Sequence, residues 1–369
     1  MLACSTALPA ATPDATSDRH RPAGFRSAEP GYQYRFPRDH GTHDDFRTEW
    51  WYYTGHLTAE NGRRFGYQVT FFRRGIEPER VGANPSQWAI RQLYLAHVAL
   101  SDLDQRQFRY AEKSSRSGLG KAGADAGRLR VWIDRWSAEA SASPHEHQHL
   151  LAAADEFSLD LTVTPEKPPV IHGERGVSRK GSAPVQSSHY YSFTRLATAG
   201  TLTVNGQRLS VQGTSWMDHE FGSGDLGDDL AGWDWFSVQL ADKTELMLYR
   251  LRRADGTVAP VSSGTAVLPD GRTRHLSATD IQVDVLDHWA SRASGGRYPS
   301  RWRVAVPLLD LSLDIRTRLS DQELITSRST QVIYWEGAVE VSGHLRNAPV
   351  SGQGYVELTG YAKPMRKRL

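Results

Sequence analysis

The sequence predicts an all-β protein of antiparallel strands, organised as two similar barrels. Three observations predict it. Hairpin dipeptides recur along the chain, as Asn61-Gly62, Asn205-Gly206, Asp255-Gly256 and Asp270-Gly271, and each accepts the positive φ values of tight turns. The segments flanking them alternate apolar and polar residues with a period of two. Long helical periodicity is scarce; short segments near Trp88–Leu93 and Leu150–Asp155 are expected to hold a turn or two of helix.

The strands follow from the alternation. Thr201–Val204 and Leu209–Val211 flank Asn205-Gly206. After Asn61-Gly62, Phe65, Tyr67, Val69 and Phe71 fall on one face of a strand. Leu159–Val163, Trp302–Val306 and Leu311–Ile315 alternate in the same way. A faint internal echo organises them. Glu49-Trp50-Trp51-Tyr52-Tyr53 opens a strand pair ending at Arg73-Arg74, and Gly232-Trp233-Asp234-Trp235-Phe236 opens another ending at Arg252-Arg253. We therefore divide the chain into a leader at 1–30, an N-terminal barrel at 31–224 and a C-terminal barrel at 225–369. A closed eight-stranded barrel is wide enough for one small ligand.

Composition narrows the function. The 369 residues carry 44 Lys plus Arg against 42 Asp plus Glu, a net charge of +2, so the chain is not built to grip nucleic acid. No apolar run is long enough to span a bilayer as a helix. The single cysteine excludes an intramolecular disulfide framework and a cysteine-based zinc cluster. Eleven Trp and fourteen Tyr point to a groove for an apolar or planar ligand, or to a well-filled core. The cysteine is Cys4, in Leu2-Ala3-Cys4, followed by a Ser/Thr/Ala/Pro-rich tether over residues 5–23. That arrangement resembles a bacterial lipoprotein processing site. It implies an exported protein, periplasmic or membrane-anchored through a lipid on Cys4, with the membrane touched only through that anchor.

Two formal motifs are set aside. His145-Glu146-His147-Gln148-His149 fits H-E-x-x-H, but it lies between strand-like segments where no helix places both imidazoles on one face. Gly222–Gly227 fits G-x-G-x-x-G without the buried strand and helix that make it a nucleotide site. No G-x-S-x-G elbow is present. No metal and no cofactor are expected.

Three segments place carboxylates and imidazoles among large rings. They are Asp39-His40-Gly41-Thr42-His43 leading into Glu49-Trp50-Trp51-Tyr52, Ser188-His189-Tyr190-Tyr191-Ser192, and Ser215-Trp216-Met217-Asp218-His219-Glu220 with Trp233 and Trp235 beyond. A carboxyl against indole loses hydration and can hold a proton near neutrality. A proton donor beside π faces is what protonation of an alkene requires. The same residues also fit a structural polar network. Trp50 and Tyr52 face opposite to Trp51 and Tyr53 on a strand, so both sets cannot line one pocket.

Together these segments resemble the carotenoid 1,2-hydratases and the related AttH-type "predicted secreted hydrolases". The matching elements are Asp-His-Gly-x-His before Glu-Trp-Trp-Tyr-Tyr-Thr-Gly-His-Leu, Tyr-Tyr-Ser-x-Thr-Arg, and Trp-Met-Asp-His-Glu-Phe-Gly before Gly-Trp-Asp-Trp-Phe. The likeness runs from about Tyr34 to near the C-terminus. It implies two lipocalin-like barrels with a ligand cleft between or within them. It also implies a cofactor-independent hydro-lyase adding water to an apolar unsaturated isoprenoid or lipid. On this reading Asp218 is the general acid, His219 or Glu220 orients it or activates water, and His189 is a second base. Glu49, Trp50, Tyr52, Tyr190, Trp216, Trp233 and Trp235 contact the ligand. The alternative is a non-catalytic exported carrier working with an ABC-type membrane transporter. A weaker third reading is carbohydrate binding on exposed Trp platforms.

Overall fold

The computed structural model describes residues 24–76, 86, 89–141 and 147–365. Cys4 and its tether lie outside the described residues, as do His145 and Glu146 of the formal zinc motif. His149 stands on a strand, exposed, beside Asp160 at 2.7 Å.

The first sheet has thirteen strands. They are β1 (Thr48–Ala59), β2 (Arg64–Gly75), β3 (Gln92–Asp102), β4 (Gln107–Arg116), β5 (Ala122–Ala124), β6 (Arg130–Ile133), β7 (Trp136–Ala140), β8 (Gln148–Ala153), β9 (Phe157–Pro165), β10 (Val170–Ile171), β11 (Ser178–Arg179), β12 (Ser187–Val204) and β13 (Gln207–Gly222). Its order is β4-β3-β2-β1-β13-β12-β9-β8-β7-β6-β5, with β10 and β11 on β12. Strands β3 and β4 at one edge come against β6 at the other, which nearly closes a barrel.

The second sheet has ten strands. They are β14 (Leu230–Leu240), β15 (Glu245–Arg253), β16 (Ser263–Val267), β17 (Thr273–Ser277), β18 (Gln282–Ala290), β19 (Arg297–Val306), β20 (Leu311–Thr317), β21 (Glu323–Ile325), β22 (Ile333–Leu345) and β23 (Ala348–Thr359). Its order is β17-β16-β15-β14-β23-β22-β20-β19-β18, with β21 on β22, and it forms a half-barrel. All the pairings are antiparallel, so the expected fold class is the observed one. The helical turns expected near Trp88–Leu93 and Leu150–Asp155 are corrected among the described residues, which do not include Trp88. Leu93 lies in β3, and Leu150–Ala153 lies in β8, whose burial alternates with period two.

The echo in the sequence is an echo in topology. Each sheet's first strand, β1 or β14, pairs with its hairpin partner on one side and with the sheet's last strand on the other. The turn at Asn205-Gly206 joins β12 to β13 with φ of 51° and 79°, the mirror-image turn geometry that suits twisted strands.

Alternation assigns the two faces. Trp51, Tyr53 and Leu57 of β1 with Phe65, Tyr67, Val69 and Phe71 of β2 point into the first barrel and fill it. Phe236, Val238, Leu248, Trp302 and Trp335 form the core of the second. The opposite faces of the two sheets meet each other. Tyr52, Tyr190 and Trp216 pack there against Trp235, Met247, Tyr249 and Tyr355. The sheets approach closely because position 66 is glycine: a Cβ there would stand 2.6 Å from the Tyr355 hydroxyl. The seam is also polar. The Lys167 ammonium donates to Glu245 at 2.6 Å, and Arg195 donates to the same carboxylate at 2.6 Å.

Candidate active site

A cavity of about 420 Å³ opens at this seam, between the sheets rather than inside either barrel. Its size suits a small organic ligand. One wall is the outer face of β1, β2, β12 and β13, and the other comes from β14, β15, β22 and β23.

Asp218 sits in β13 on the cavity face, 4% exposed. Its Oδ2 accepts from the Tyr190 hydroxyl at 2.7 Å. Its Oδ1 accepts from Trp216 Nε1 at 2.6 Å and from the Ser192 hydroxyl. Each donor is neutral. Burial therefore dominates and pushes the Asp218 pKa up to about 7; the three hydrogen bonds oppose the shift and the neighbouring Glu220 adds to it. Behind Ser192 stands His172, its Nε2 2.7 Å from the serine hydroxyl and its Nδ1 2.9 Å from Thr265. Burial holds His172 down at about 3, so the ring stays neutral and acts as a support.

Glu220 lies two residues further along the same face. Its partners differ in kind: the Lys180 ammonium at 2.9 Å and the Ser188 hydroxyl. Burial works to lower the Lys180 pKa, but Glu220 together with Tyr249 and Asp218 outweighs it and the net shift is upward. The Lys180 ammonium also lies over the rings of Tyr249, at 4.6 Å, and Tyr190, at 5.3 Å. Two further carboxyls line the cavity from the second sheet. Glu357 accepts from Trp233 Nε1 at 2.9 Å, and burial raises its pKa to about 7. Glu336 accepts from the Tyr52 hydroxyl, and burial raises it well above the carboxylate range.

The residues singled out from the sequence fall into two sets. Asp218, Glu220, Trp50, Tyr52, Tyr190, Trp233 and Trp235 line the cavity. Trp216 stands directly behind Asp218 and edge-on to Trp235, with ring centroids 6.2 Å apart. His219, Glu49 and His189 are on the opposite face of the same strands. Glu49 Oε1 accepts from His43 Nδ1 at 2.7 Å and His219 Nε2 at 2.8 Å. Its Oε2 accepts from Arg73 Nε at 2.9 Å and Thr42 at 3.0 Å. Burial opposes ionisation of Glu49, yet Arg73 and His43 hold its pKa well below the usual range. His189 packs against Tyr32, 4.5 Å between ring centroids. The sequence grouped Asp218, His219 and Glu220 as one triplet; strand alternation puts the middle one on the far side. His43, Glu49 and His219 offer ligand atoms within 4.8 Å of one another, a candidate metal-binding group. The Arg73 guanidinium on the same carboxylate already supplies the positive charge that a cation would bring.

Sequence reasoning missed Lys180, His172, Ser192, Gln68, Glu336 and Glu357. For three of them a signal existed. Gln68, Glu336 and Glu357 are polar residues inside otherwise apolar strands, Tyr67-Gln68-Val69, Tyr334-Trp335-Glu336-Gly337 and Tyr355-Val356-Glu357-Leu358. Lys180 lies in a loop and carries no such mark. Gly222–Gly227, the formal nucleotide motif, ends β13 and runs through a loop into β14, with no helix after it.

The AttH-like family model matches residues 27–361. The AttH protein of Nitrosomonas europaea, known from its crystal structure, is 34% identical, with a TM-score of 0.82 over 91% of this chain and 99% of that one. Kievitone hydratase from Nectria haematococca shares the fold at 15% identity, with a TM-score of 0.71 over 93% of this chain and 98% of that one. Dehydratase asqC of Emericella nidulans is 22% identical over 286 residues, 73% of this chain and 77% of that protein. With its two antiparallel sheets and a motif set that spans both, the chain belongs to the AttH-like family.

Proposed function

We propose that the cleft between the sheets binds an apolar unsaturated molecule, of isoprenoid or lipid type, and adds water to it, or removes water from it, by acid–base catalysis. The carrying observation is the unequal partnering of two carboxyls on one face of β13. Asp218 has only neutral donors, whereas Glu220 is paired with an ammonium. Two carboxyls in such different environments divide into acid and base. Three donors occupy three of about four acceptor sites on the Asp218 carboxyl. Only Oδ2 keeps a free one, where the transferable proton sits.

In the hydration direction Asp218 gives that proton to one alkene carbon. The π electrons form the new C–H bond and leave a cation on the other carbon, facing the rings of Trp235 and Tyr190. Water attacks that carbon and loses a proton to Glu220, which the Lys180 ammonium faces at 2.9 Å. Glu220 then releases its proton to solvent and Asp218 takes one up, which restores both carboxyls. Dehydration runs the same steps backwards. The two carboxyls are about 7 Å apart along the strand, enough to leave a ligand and a water between them. Kievitone hydratase and dehydratase asqC are named for adding and removing water, which supports this class of reaction for the family fold.

The test uses the full chain incubated with a membrane lipid extract of its host in ¹⁸O-labelled water, with Asp218→Asn alongside. Mass spectrometry of bound and released lipids is expected to find label in one apolar compound with wild type only. An unmodified lipid retained equally by both proteins would instead make the protein a carrier, and Asp218 a structural residue.

A further inference from the structure

The cavity has a second polar end that the proposed chemistry does not use. Gln68 of β2 and Glu336 of β22 both line it, and each is 2% exposed. Neither Gln68 Oε1 nor Glu336 Oε2 has a hydrogen-bond partner among the described residues. Buried polar atoms are paired in the great majority of cases, so two orphans on side chains that line one cavity need an explanation.

Their surroundings fix what each atom offers. Gln68 Nε2 donates to Thr70 Oγ1 at 2.9 Å and to the Tyr334 hydroxyl at 3.3 Å, which turns Oε1 away as a free acceptor. The Tyr334 hydroxyl is itself 2.7 Å from His97 Nδ1, so the amide is held from behind. Glu336 Oε1 accepts from Tyr52, which leaves Oε2 unpartnered. Burial, with Glu357 and Asp218 facing the same cavity, keeps Glu336 protonated, and its Oε2 is then an O–H donor. One acceptor from the first sheet and one donor from the second, on side chains that line the same cavity, match a group that both donates and accepts. That group is a hydroxyl.

We infer that Gln68 and Glu336 form a hydroxyl-binding subsite, and that the ligand of this cleft is an unsaturated apolar molecule bearing an alcohol or phenol. The inference rests on the preceding reading that the cleft holds the substrate. The sheet register sets the spacing. Asp218 pairs with Tyr52, and Tyr52 pairs with Thr70, which neighbours Gln68 on the same face. Two strand spacings separate the acid from this subsite, about 10 Å. The hydroxyl therefore lies remote from the reacting carbon and anchors the molecule rather than leaving it.

The experiment uses the host membrane lipid extract in two forms, untreated and with its hydroxyls capped by O-methylation. Each is incubated with the full wild-type chain, and the retained compounds are identified by mass spectrometry. The methyl cap removes the donor that Gln68 needs and adds bulk, so retention is expected to fall at least about tenfold. Gln68→Leu, checked for folding by circular dichroism, is expected to cut that preference to about twofold. Equal retention of the capped extract overturns the inference, as does retention of compounds without a hydroxyl, or of nothing from either extract. Heavy oxygen entering a compound without a hydroxyl overturns it while leaving hydration standing. A retained alcohol that never takes up label supports the subsite and removes the catalytic reading.

Discussion

The two faces of β13 carry the same residue types to opposite ends. On the inner face His219 meets Glu49, and that carboxylate is saturated by two imidazoles, a guanidinium and a hydroxyl. On the cleft face Asp218 is held by three neutral donors and keeps an open lone pair toward a cavity. The difference shows what separates a buried network from a site. A carboxylate whose acceptors are all taken, one of them by a guanidinium, stays ionised and has nothing left to offer. One that is desolvated and only partly satisfied keeps its proton into the neutral range.

The comparison breaks hardest at Glu49. Glu49→Ala strands Arg73 in the barrel interior and is expected to cost about 3–5 kcal/mol of stability, a large share of what a domain has. Urea unfolding measures it, and a loss below about 1 kcal/mol would mean that the inner network is not what holds this end of the barrel together. Asp218→Asn should do the reverse. We expect turnover to fall by about 10²–10⁴-fold. At about pH 4.5 stability should stay within about 1 kcal/mol of wild type, because a neutral amide there replaces a protonated carboxyl. Equal loss of folding in both variants would erase the distinction between the faces.

The pH dependence sharpens it. Native Asp218 keeps its proton up to about pH 7, whereas in the unfolded chain the group releases it near pH 3.9. Between those values the native state binds more protons than the unfolded state. This group's contribution to stability is therefore full below about pH 4 and is lost as pH rises toward 7, at up to about 1.4 kcal/mol per pH unit. Urea titrations from pH 4.5 to 8 should show a slope smaller by up to one proton in Asp218→Asn; identical slopes would place the proton elsewhere. Glu49, held low by Arg73 and His43, contributes with the opposite sign, its share lost only in acid.

The smallest expected effect is at Lys180. Lys180→Met removes the ammonium 2.9 Å from Glu220 and leaves that carboxyl without its charged partner, so turnover should fall about tenfold. Unchanged turnover would remove Glu220 from the role of base.

Much of this was legible in the residues. The turn dipeptides and the alternation of Phe65, Tyr67, Val69 and Phe71 specify strands because a period of two has one structural meaning. The opposition of Trp50 and Tyr52 to Trp51 and Tyr53 follows from the same rule. Applied to Asp218, His219 and Glu220, it separates the imidazole from its neighbours. Grouping them by adjacency hid this. The helical turns expected at Leu93 and Leu150 failed for a related reason, since short apolar runs fit either period until their burial is known.

The sequence by itself determined the strands, their two faces and the enrichment of carboxyls among aromatic rings, because these are local or follow from chain periodicity. Only the tertiary structure decided which face meets the other sheet. That choice turned the outer faces into a cavity. It brought Lys180 to Glu220 from a loop, and Glu336 and Glu357 to Asp218 from strands more than a hundred residues away. Burial and partnering fix proton affinity, and both depend on contacts between segments that no local pattern encodes.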